Sequence, residues 1–250
     1  MLDGSAISLV MPCRNEAKHL ARMVADIPDF YDEIICVSNM STDGTVTVGR
    51  RLERTNSRFR LLVDDRVTSG IGYGFAHMTG IGEAKGSLIV CADSDGTYPI
   101  EDLPRILHIM NNRKLSFASC SRYPDKNIPF TLQLGVKVLN LEMFVLYALV
   151  IHDSLSGMWV FKRDVIPSLH LTEGDWNLSP QIKINAHEYL GARFGEIKIT
   201  QRTRLGETKQ SYFKTGLRHL RWIFKNRFVH RKGIQPADNE SQLGATVLTQ

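Results

Sequence analysis

Leu88-Ile89-Val90-Cys91-Ala92-Asp93-Ser94-Asp95-Gly96-Thr97-Tyr98 is the stretch on which the fold turns. An apolar run ends abruptly in two carboxylates at i and i+2. A short run of this kind, bounded by turn residues, fits a strand buried on both faces. The outgoing ends of such strands are where open α/β sheets keep their ligands. Asp93 and Asp95 placed there can share one divalent cation, since Mg2+ held by one or two carboxylates completes its shell with water and substrate phosphate. The stretch is therefore a candidate metal site for a nucleotide diphosphate. Asp-Gly also closes many solvated turns, and these residues alone leave both readings open.

Upstream, Ala6–Met11 reads as a first buried strand ending at Pro12. Cys13-Arg14-Asn15-Glu16 then leads into a helix with Leu20, Met23, Val24 and Ile27 at helical spacing; Asn15 suits its N-cap. Glu33–Val37 is a second strand, followed by the turn Ser38–Thr45 and a helix carrying Val46, Val48 and Leu52; Phe59–Val63 is a third strand. Downstream, Pro99-Ile100-Glu101-Asp102 opens a helix with Leu103, Ile106, Leu107 and Met110 on one face, and the strand Leu115–Cys120 ends in Ser121-Arg122. Strands alternating with helices predict an α/β fold, a mostly parallel wound sheet with helices on both faces.

Between them, GIGYGFAHMTGIGEAKG spans Gly70 to Gly86. Gly70, Gly72 and Gly74 are expected to let backbone approach a ligand and to leave amide groups at a helix start. A dinucleotide fingerprint would follow the first strand, and the Walker pattern is absent.

Beyond Pro124 the alternation stops. Asn127–Ile151 is apolar and helix-compatible, Asp153-Ser154-Leu155-Ser156-Gly157 precedes a strand at Met158–Phe161, Trp176–Leu190 reads as a helix, and Phe194–Thr200 alternates like an exposed strand. Tyr212–Phe228 places Phe213, Leu217, Leu220, Ile223 and Phe224 on one face, flanked by Lys214, Arg218, Arg221, Lys225 and Arg227. Such a helix either lies on an anionic membrane surface or docks on the domain with its cations solvated. This predicts one domain over residues 1–232, with a donor half at 6–123, an acceptor half at 124–211 and the basic helix at 212–228; residues 233–250 are polar, aperiodic and expected to fray.

Composition narrows the class. Hydrophobic content of 43% with 23% charged residues supports a sizeable core. The net charge of +5 is concentrated in Lys209–Lys232, where it suits an anionic partner. The longest apolar run, Met143–Ile151, is too short for a bilayer, which takes about 20 residues. Four cysteines without a CxxC pair, and no cleavable signal, point to a cytoplasmic protein with reduced thiols. His187-Glu188-Tyr189-Leu190-Gly191 lacks the second histidine of a zinc protease, no G-x-S-x-G supports a serine hydrolase, and only the terminal helix favours nucleic acid, which is not expected as a partner.

Six blocks then fall into one order: Pro12-Cys13-Arg14-Asn15-Glu16; Ser41-Thr42-Asp43-Gly44-Thr45; Ala84-x-Gly86 with Asp93-Ser94-Asp95-Gly96-Thr97-Tyr98-Pro99; Ser121-Arg122; Asp153-x-x-Ser156-Gly157; and Arg204-x-Gly206-x-Thr208-Lys209. In this order they resemble the family 2 glycosyltransferases of the GT-A fold, and among them the polyprenyl-phosphate sugar transferases of the dolichol-phosphate mannose synthase type. The resemblance runs from Ala6 to Arg227. It implies a metal-dependent, inverting transfer of a sugar from GDP-mannose or a UDP-sugar to a polyprenyl or dolichyl phosphate, with Mn2+ or Mg2+ as cofactor. The alternatives are a soluble or glycan acceptor, or an impaired nucleotide-sugar-binding homologue. The enzyme would be cytoplasmic, or peripheral on the cytoplasmic face of a membrane.

By resemblance, Asp93 and Asp95 hold the metal. Nucleotide-sugar binding falls to Pro12, Arg14, Asn15, Glu16, Ser38, Asn39, Gly72, Asp93, Ser94, Arg204 and Lys209. Arg122, Lys137 and Ser156 receive the acceptor phosphate, and Asp95, Asp153 and Arg204 take the catalytic roles. By residue chemistry alone, Asp153 reads equally as support for the Ser156-Gly157 turn, and Arg204 as a surface partner of Glu207. Two departures stand out. Ser38-Asn39-Met40 occupies the place of two aspartates and a glycine, so donor identity is not carried over, although serine and asparagine can still hydrogen-bond a base or ribose. Thr208 replaces the commoner serine and keeps the hydroxyl.

Overall fold

The structure, a computed structural model, describes residues 4–68, 70–123, 130–202 and 212–228. Strands β1 (Ile7–Cys13), β2 (Glu33–Ser38), β3 (Phe59–Val63) and β4 (Leu88–Cys91) alternate with helices α1 (Leu20–Ala25), α2 (Thr45–Thr55) and α3 (Tyr73–Glu83). Helix α4 (Leu103–Asn112) leads to β5 (Phe117–Ser121), α5 (Phe130–Tyr147) to β6 (Trp159–Lys162), and α6 (Ile166–Leu169) with α7 (Leu178–Leu190) to β7 (Phe194–Lys198); α8 (Tyr212–Phe228) closes the described chain.

The strands form one sheet in the order β3-β2-β1-β4-β6-β5-β7. Strands β1 to β4 pair in parallel, as does β5 with β7. Only β6 runs against its neighbours, pairing antiparallel with both β4 and β5. The expected α/β class, mostly parallel with helices on both faces, is what the chain adopts. Alternation within the strands divides the core: Ile7, Leu9, Met11 and Cys13 of β1 pack toward α1 and α4, whereas Val10 packs with Ala76, Ile81 and Ile182 on the other face. A third cluster joins α5 and α8 to Ile184 of α7. All four cysteines are buried with free thiols.

Two features position the functional region. Strand order reverses beside β1, since β2 and β3 lie to one side and β4 to the other, and such a switch point opens a crevice at the carboxyl ends of the strands. The β1, β2 and β4 ends carry Pro12–Glu16, Ser38–Thr45 and Asp93–Tyr98. An antiparallel strand begins where its parallel neighbours finish, so β6 brings the preceding residues Asp153–Met158 to that same edge; Trp159 stands opposite both Cys91 and Ser119.

Several local expectations are corrected. Helix α1 begins at Leu20 with His19 as N-cap and no side-chain cap, so Asn15 does not cap it. Phe194–Lys198 is an edge strand, and Ile197 and Ile199 are buried. The terminal helix has the expected bounds but turns a different face inward: Thr215, His219 and Ile223 are buried while Leu217, Phe224 and Phe228 are exposed. Its docking is held by polar pairs. His219 Nδ1 and Asn177 Oδ1 lie 2.9 Å apart, and the Tyr147 hydroxyl donates to the Ile223 carbonyl at 2.9 Å. These bonds exist only once α5 and α7 are in place, which no helical periodicity reveals.

Helix α3 lies on β1 and β2 through Gly80, where an added Cβ would collide with Val10, whereas Gly82 has nothing within 4 Å. Gly80→Ala is expected to destabilise by about 1–3 kcal/mol through overpacking, and exposed Gly82→Ala to stabilise by roughly 0.5–1 kcal/mol through helix propensity; urea unfolding of the two variants checks the opposed signs.

Candidate functional site

The crevice is built from three loops that brace one another. The Asn15 backbone is left-handed (φ 54°), and its Oδ1 accepts the Thr42 N–H at 2.8 Å. The Glu16 N–H donates to Thr45 Oγ1 at 2.8 Å and the Ala17 N–H to Asp43 Oδ2 at 3.2 Å, so the first loop is bound to the second by backbone donors. The Asn39 N–H donates to the Cys13 carbonyl, and the Ser38 hydroxyl to Ser41 Oγ at 2.9 Å. Ser94 of the third loop donates its hydroxyl to the Pro12 carbonyl at 2.8 Å. Arg14 is half-buried between these loops, and Glu16 is buried, its carbonyl accepting the first N–H groups of α1.

Ser38 and Asn39 are each 1% exposed, and their side chains bond neighbouring loops. Asn39 Nδ2 donates to the Ile71 carbonyl and so pins the glycine-rich loop. In that loop Gly72 (φ 72°) has the Arg66 carbonyl where a Cβ would sit, and Gly74 has the Glu173 carbonyl. What approaches these glycines is the chain's own backbone. The Ile71 N–H reaches Asp175 Oδ1 at 3.3 Å and the Phe75 N–H the Gly174 carbonyl, so the start of α3 is tied to the loop before α7.

At the centre, Asp93 and Asp95 lie in the turn that follows β4. Asp95 Oδ1 accepts the Thr97 N–H at 3.0 Å and also the Thr97 hydroxyl, which fixes its carboxylate in a turn. The Tyr73 hydroxyl donates to Asp93 Oδ1 at 2.9 Å. Tyr73 is in turn stacked on Trp176, with ring centroids 4.5 Å apart, and meets the edge of His77. His77 is fully buried, and desolvation pushes it down to about 3, so its neutral ring packs between Tyr73 and Trp159. No cluster of three His, Cys, Asp or Glu side chains suited to a metal occurs among the described residues. Two carboxylates with the remaining ligands from water and diphosphate are the usual donor set for Mg2+, so the residues present fit such an ion.

Across the crevice lies the turn before β6. Asp153 is completely buried and accepts Arg122 Nε at 2.8 Å, Arg122 Nη2 at 3.0 Å and the Arg122 and Leu155 N–H groups at 3.0 and 3.2 Å. Burial raises the carboxyl group's pKa, but Arg122 and these bonds outweigh it and hold the net value below the usual carboxylate range. Arg122 lies 6.0 Å from the Tyr98 ring centre, and the Tyr98 hydroxyl accepts the Gly157 N–H at 2.6 Å. A Cβ at Gly157 would run into the Tyr73 hydroxyl and stand 3.2 Å from Asp93 Oδ1, so only glycine lets the turn close on the carboxylate pair.

From behind, Lys183 of α7 is fully buried and its Nζ donates to the carbonyls of Ser154 and Ser156, each at 2.8 Å. The Ser156 carbonyl also accepts Trp159 Nε1 and the Ser179 hydroxyl. Desolvation brings Lys183 down to about 7, opposed by the Asp153 charge. A neutral amine still has two N–H groups for its two carbonyls. The expected acceptor residues are thus separated: Arg122 and Ser156 meet around the turn, while Lys137 stands exposed on α5. Arg204 and Lys209 lie outside the described residues.

Sequence reasoning missed Tyr73, Tyr98, Trp176 and Lys183. Tyr73 had a signal, an aromatic residue set between two glycines, and Tyr98 one in its place directly after the carboxylate pair. Lys183 had none, because a lysine in a helix normally reads as solvated.

Taken together, a parallel sheet with one reversed strand, a switch-point crevice and a carboxylate pair at its edge define a GT-A nucleotide-sugar fold. The profile of Glycosyl transferase family 2 matches residues 8–169, and the chain belongs to this family. It is 28% identical over 234 residues to the low-salt glycan biosynthesis hexosyltransferase Agl6 of Haloferax volcanii, a match covering 88% of the chain but 53% of that protein's length. A dolichyl-phosphate hexose transferase of the same organism is 28% identical over 216 residues, covering 84% of the chain and 89% of the relative. Among solved structures, glucosyl-3-phosphoglycerate synthase from Mycobacterium tuberculosis, in complex with Mn2+, UDP and phosphoglyceric acid, superposes with a TM-score of 0.68 at 18% identity, covering 94% of this chain and 81% of that one.

Removing Arg122 would strand a buried carboxylate. Arg122→Met is expected to lose about 3–5 kcal/mol of stability, with part recovered when Asp153→Asn is added; chemical denaturation of the single and double variants measures both. For Lys183 the folded pKa lies below the unfolded one, so between about 7 and about 10 the unfolded chain binds more protons and stability rises with pH. The wild type should therefore gain stability relative to Lys183→Met across that window, and a pH-independent difference between the two would contradict the assignment.

Proposed function

We propose that the protein transfers a hexose from a nucleotide diphosphate-sugar to a lipid monophosphate of the polyprenyl or dolichyl type, with a divalent cation at Asp93 and Asp95. The observation that carries this reading is the meeting of three things at one sheet edge: a carboxylate pair, a braced loop set at the switch point, and a turn presenting an arginine. The named relative acting on dolichyl phosphate supports the acceptor class, and the solved neighbour that binds Mn2+ with UDP supports the cation and the donor class.

The chemistry follows from the residues. When bound, the cation would act as a Lewis acid on the departing diphosphate. Asp93 and Asp95 supply its protein ligands, with Tyr73 and Thr97 fixing where each carboxylate points. Pro12–Glu16 and Gly72 wall the nucleotide side, and Ser94 locks that wall to the metal loop. Arg204 and Lys209 would add cationic contacts to the diphosphate.

On the acceptor side, a lipid phosphate oxygen is already anionic near neutral pH, so no strong base is required. Asp153, with its lowered pKa and its four donors, orients Arg122 and takes no proton. Arg122 uses Nε and Nη2 on Asp153, so its Nη1 edge is the one a phosphate would meet, with the Ser156 turn beside it. Lys137 would contribute from α5 as a more distant cation. Placement and electrostatics, not proton transfer, supply the acceleration in this scheme. The inward-turned Ser38 and Asn39 leave the base and sugar of the donor to be fixed by experiment.

Asp95→Asn keeps an acceptor for the Thr97 bonds and removes one charge from the cation. It should lower turnover by roughly 10²–10³-fold and abolish the Mn2+-dependent thermal shift with UDP or GDP, leaving the unliganded melting temperature close to wild type. A retained shift would remove the metal site from the proposal.

A further inference from the structure

Helices α5 and α8 carry apolar side chains on their outer sides as well as on their buried inner sides. Leu134, Val138, Leu141 and Val145 follow one another at i, i+4, i+7 and i+11 along α5, and every one is exposed, Val145 to 69%. On α8, Leu217, Phe224 and Phe228 are exposed, the last two each to 56%. Of the large hydrophobic side chains exposed among the described residues, only Met40, Val63 and Val67 lie away from α5, α8 and the adjoining Val150. Contiguous apolar surface of this kind marks a docking face.

Charge says what docks there. Helix α8 contains no acidic residue, and Lys214, Arg221 and Lys225 are exposed on the same side as Leu217, Phe224 and Phe228 when its residues are set at 100° spacing. Lys137 stands at the edge of the α5 stripe. The single carboxylate of α5, Glu142, is raised to about 7 by burial, which weakens its opposition. Both helices send their inner sides, Leu139, Met143 and Tyr147 from one and Ile223 from the other, into the cluster around Ile184, so the outer stripes look away from it. No helix among the described residues is long and apolar enough to cross a membrane. An apolar stripe rimmed by cations and lying along a helix is the design of an interfacial anchor.

The geometry points to the paired outer faces of α5 and α8 as the surface by which the protein lies on an anionic lipid bilayer. This deepens the lipid-acceptor reading and rests on it for its purpose: α5 leads through residues 148–152 to Asp153, so a bilayer under α5 would lie beside the acceptor turn.

The test uses the full chain and vesicles that contain no polyprenyl phosphate, donor or metal. Co-sedimentation with phosphatidylcholine vesicles containing phosphatidylglycerol should exceed that with phosphatidylcholine alone and fall with added salt. Phe144 is 53% exposed beside the α5 stripe, and Phe144→Glu with Phe224→Glu should lower the bound fraction at least about tenfold, with melting temperature and the Mn2+–UDP thermal shift unchanged. If that pair does not fold, Leu141→Glu replaces it. Lys214→Gln, Arg221→Gln and Lys225→Gln together should erase the preference for phosphatidylglycerol. Equal sedimentation of wild type and apolar variants would overturn the assignment. So would light scattering that finds a dimer split by the same variants without vesicle binding, since a second copy would then cover the face. The acceptor reading fails separately, if a soluble acceptor is used as well as detergent-dispersed polyprenyl phosphate.

Discussion

The structure depends on one reversal of chain direction. Strand β6 enters between β4 and β5 against both, and therefore starts at the edge where they end. Without it, Asp153–Gly157 would be delivered to the opposite end of the sheet, far from Asp93 and Asp95. The reversal places the turn Asp153–Gly157 in contact with the Asp93 loop, and Gly157 is the point of contact. Its lack of a side chain lets the turn sit against the Tyr73 hydroxyl and Asp93.

Around that contact the molecule spends buried polarity freely. Arg122 with Asp153, Lys183 under the Ser154 and Ser156 carbonyls, and Asn39 under Ile71 all desolvate polar or charged groups. Buried ion pairs are weak sources of net stability. They do fix one arrangement of loops that apolar packing alone would leave free to shift. The cost is carried by two apolar layers on the sheet faces, where Leu9, Leu20 and Ile106 on one side and Val10, Trp159 and Leu169 on the other are shielded from water.

The α5–α8 pair follows the opposite rule. Thr215 and His219 are buried beside the apolar residues Leu139, Met143 and Ile223, while a second set of apolar side chains faces outward among exposed lysines and arginines. The inner side is held by the cluster of Leu139, Met143, Ile184 and Ile223 and by the bonds of Tyr147 to Ile223 and of His219 to Asn177.

The amino-acid pattern by itself determined the alternation of strands and helices, the wound α/β class, the order of the motif blocks and the placing of Asp93 and Asp95 at a strand end. These are local properties: apolar runs of strand length, 3.6-residue spacing, and turn residues between them. Tertiary structure alone decided which polar groups are spent on the protein itself. Asn15 and Asn39 bond loops distant in sequence, through Thr42 and Ile71, and Gly74 abuts the Glu173 carbonyl, contacts that a one-dimensional pattern does not show. Lys183 and the inward face of α8 were illegible for the same reason. Whether a polar side chain meets water, a ligand or a buried carbonyl is set by what packs against it, and the packing partners of Asn15, Asn39, Lys183 and His219 lie 27 to 42 residues away.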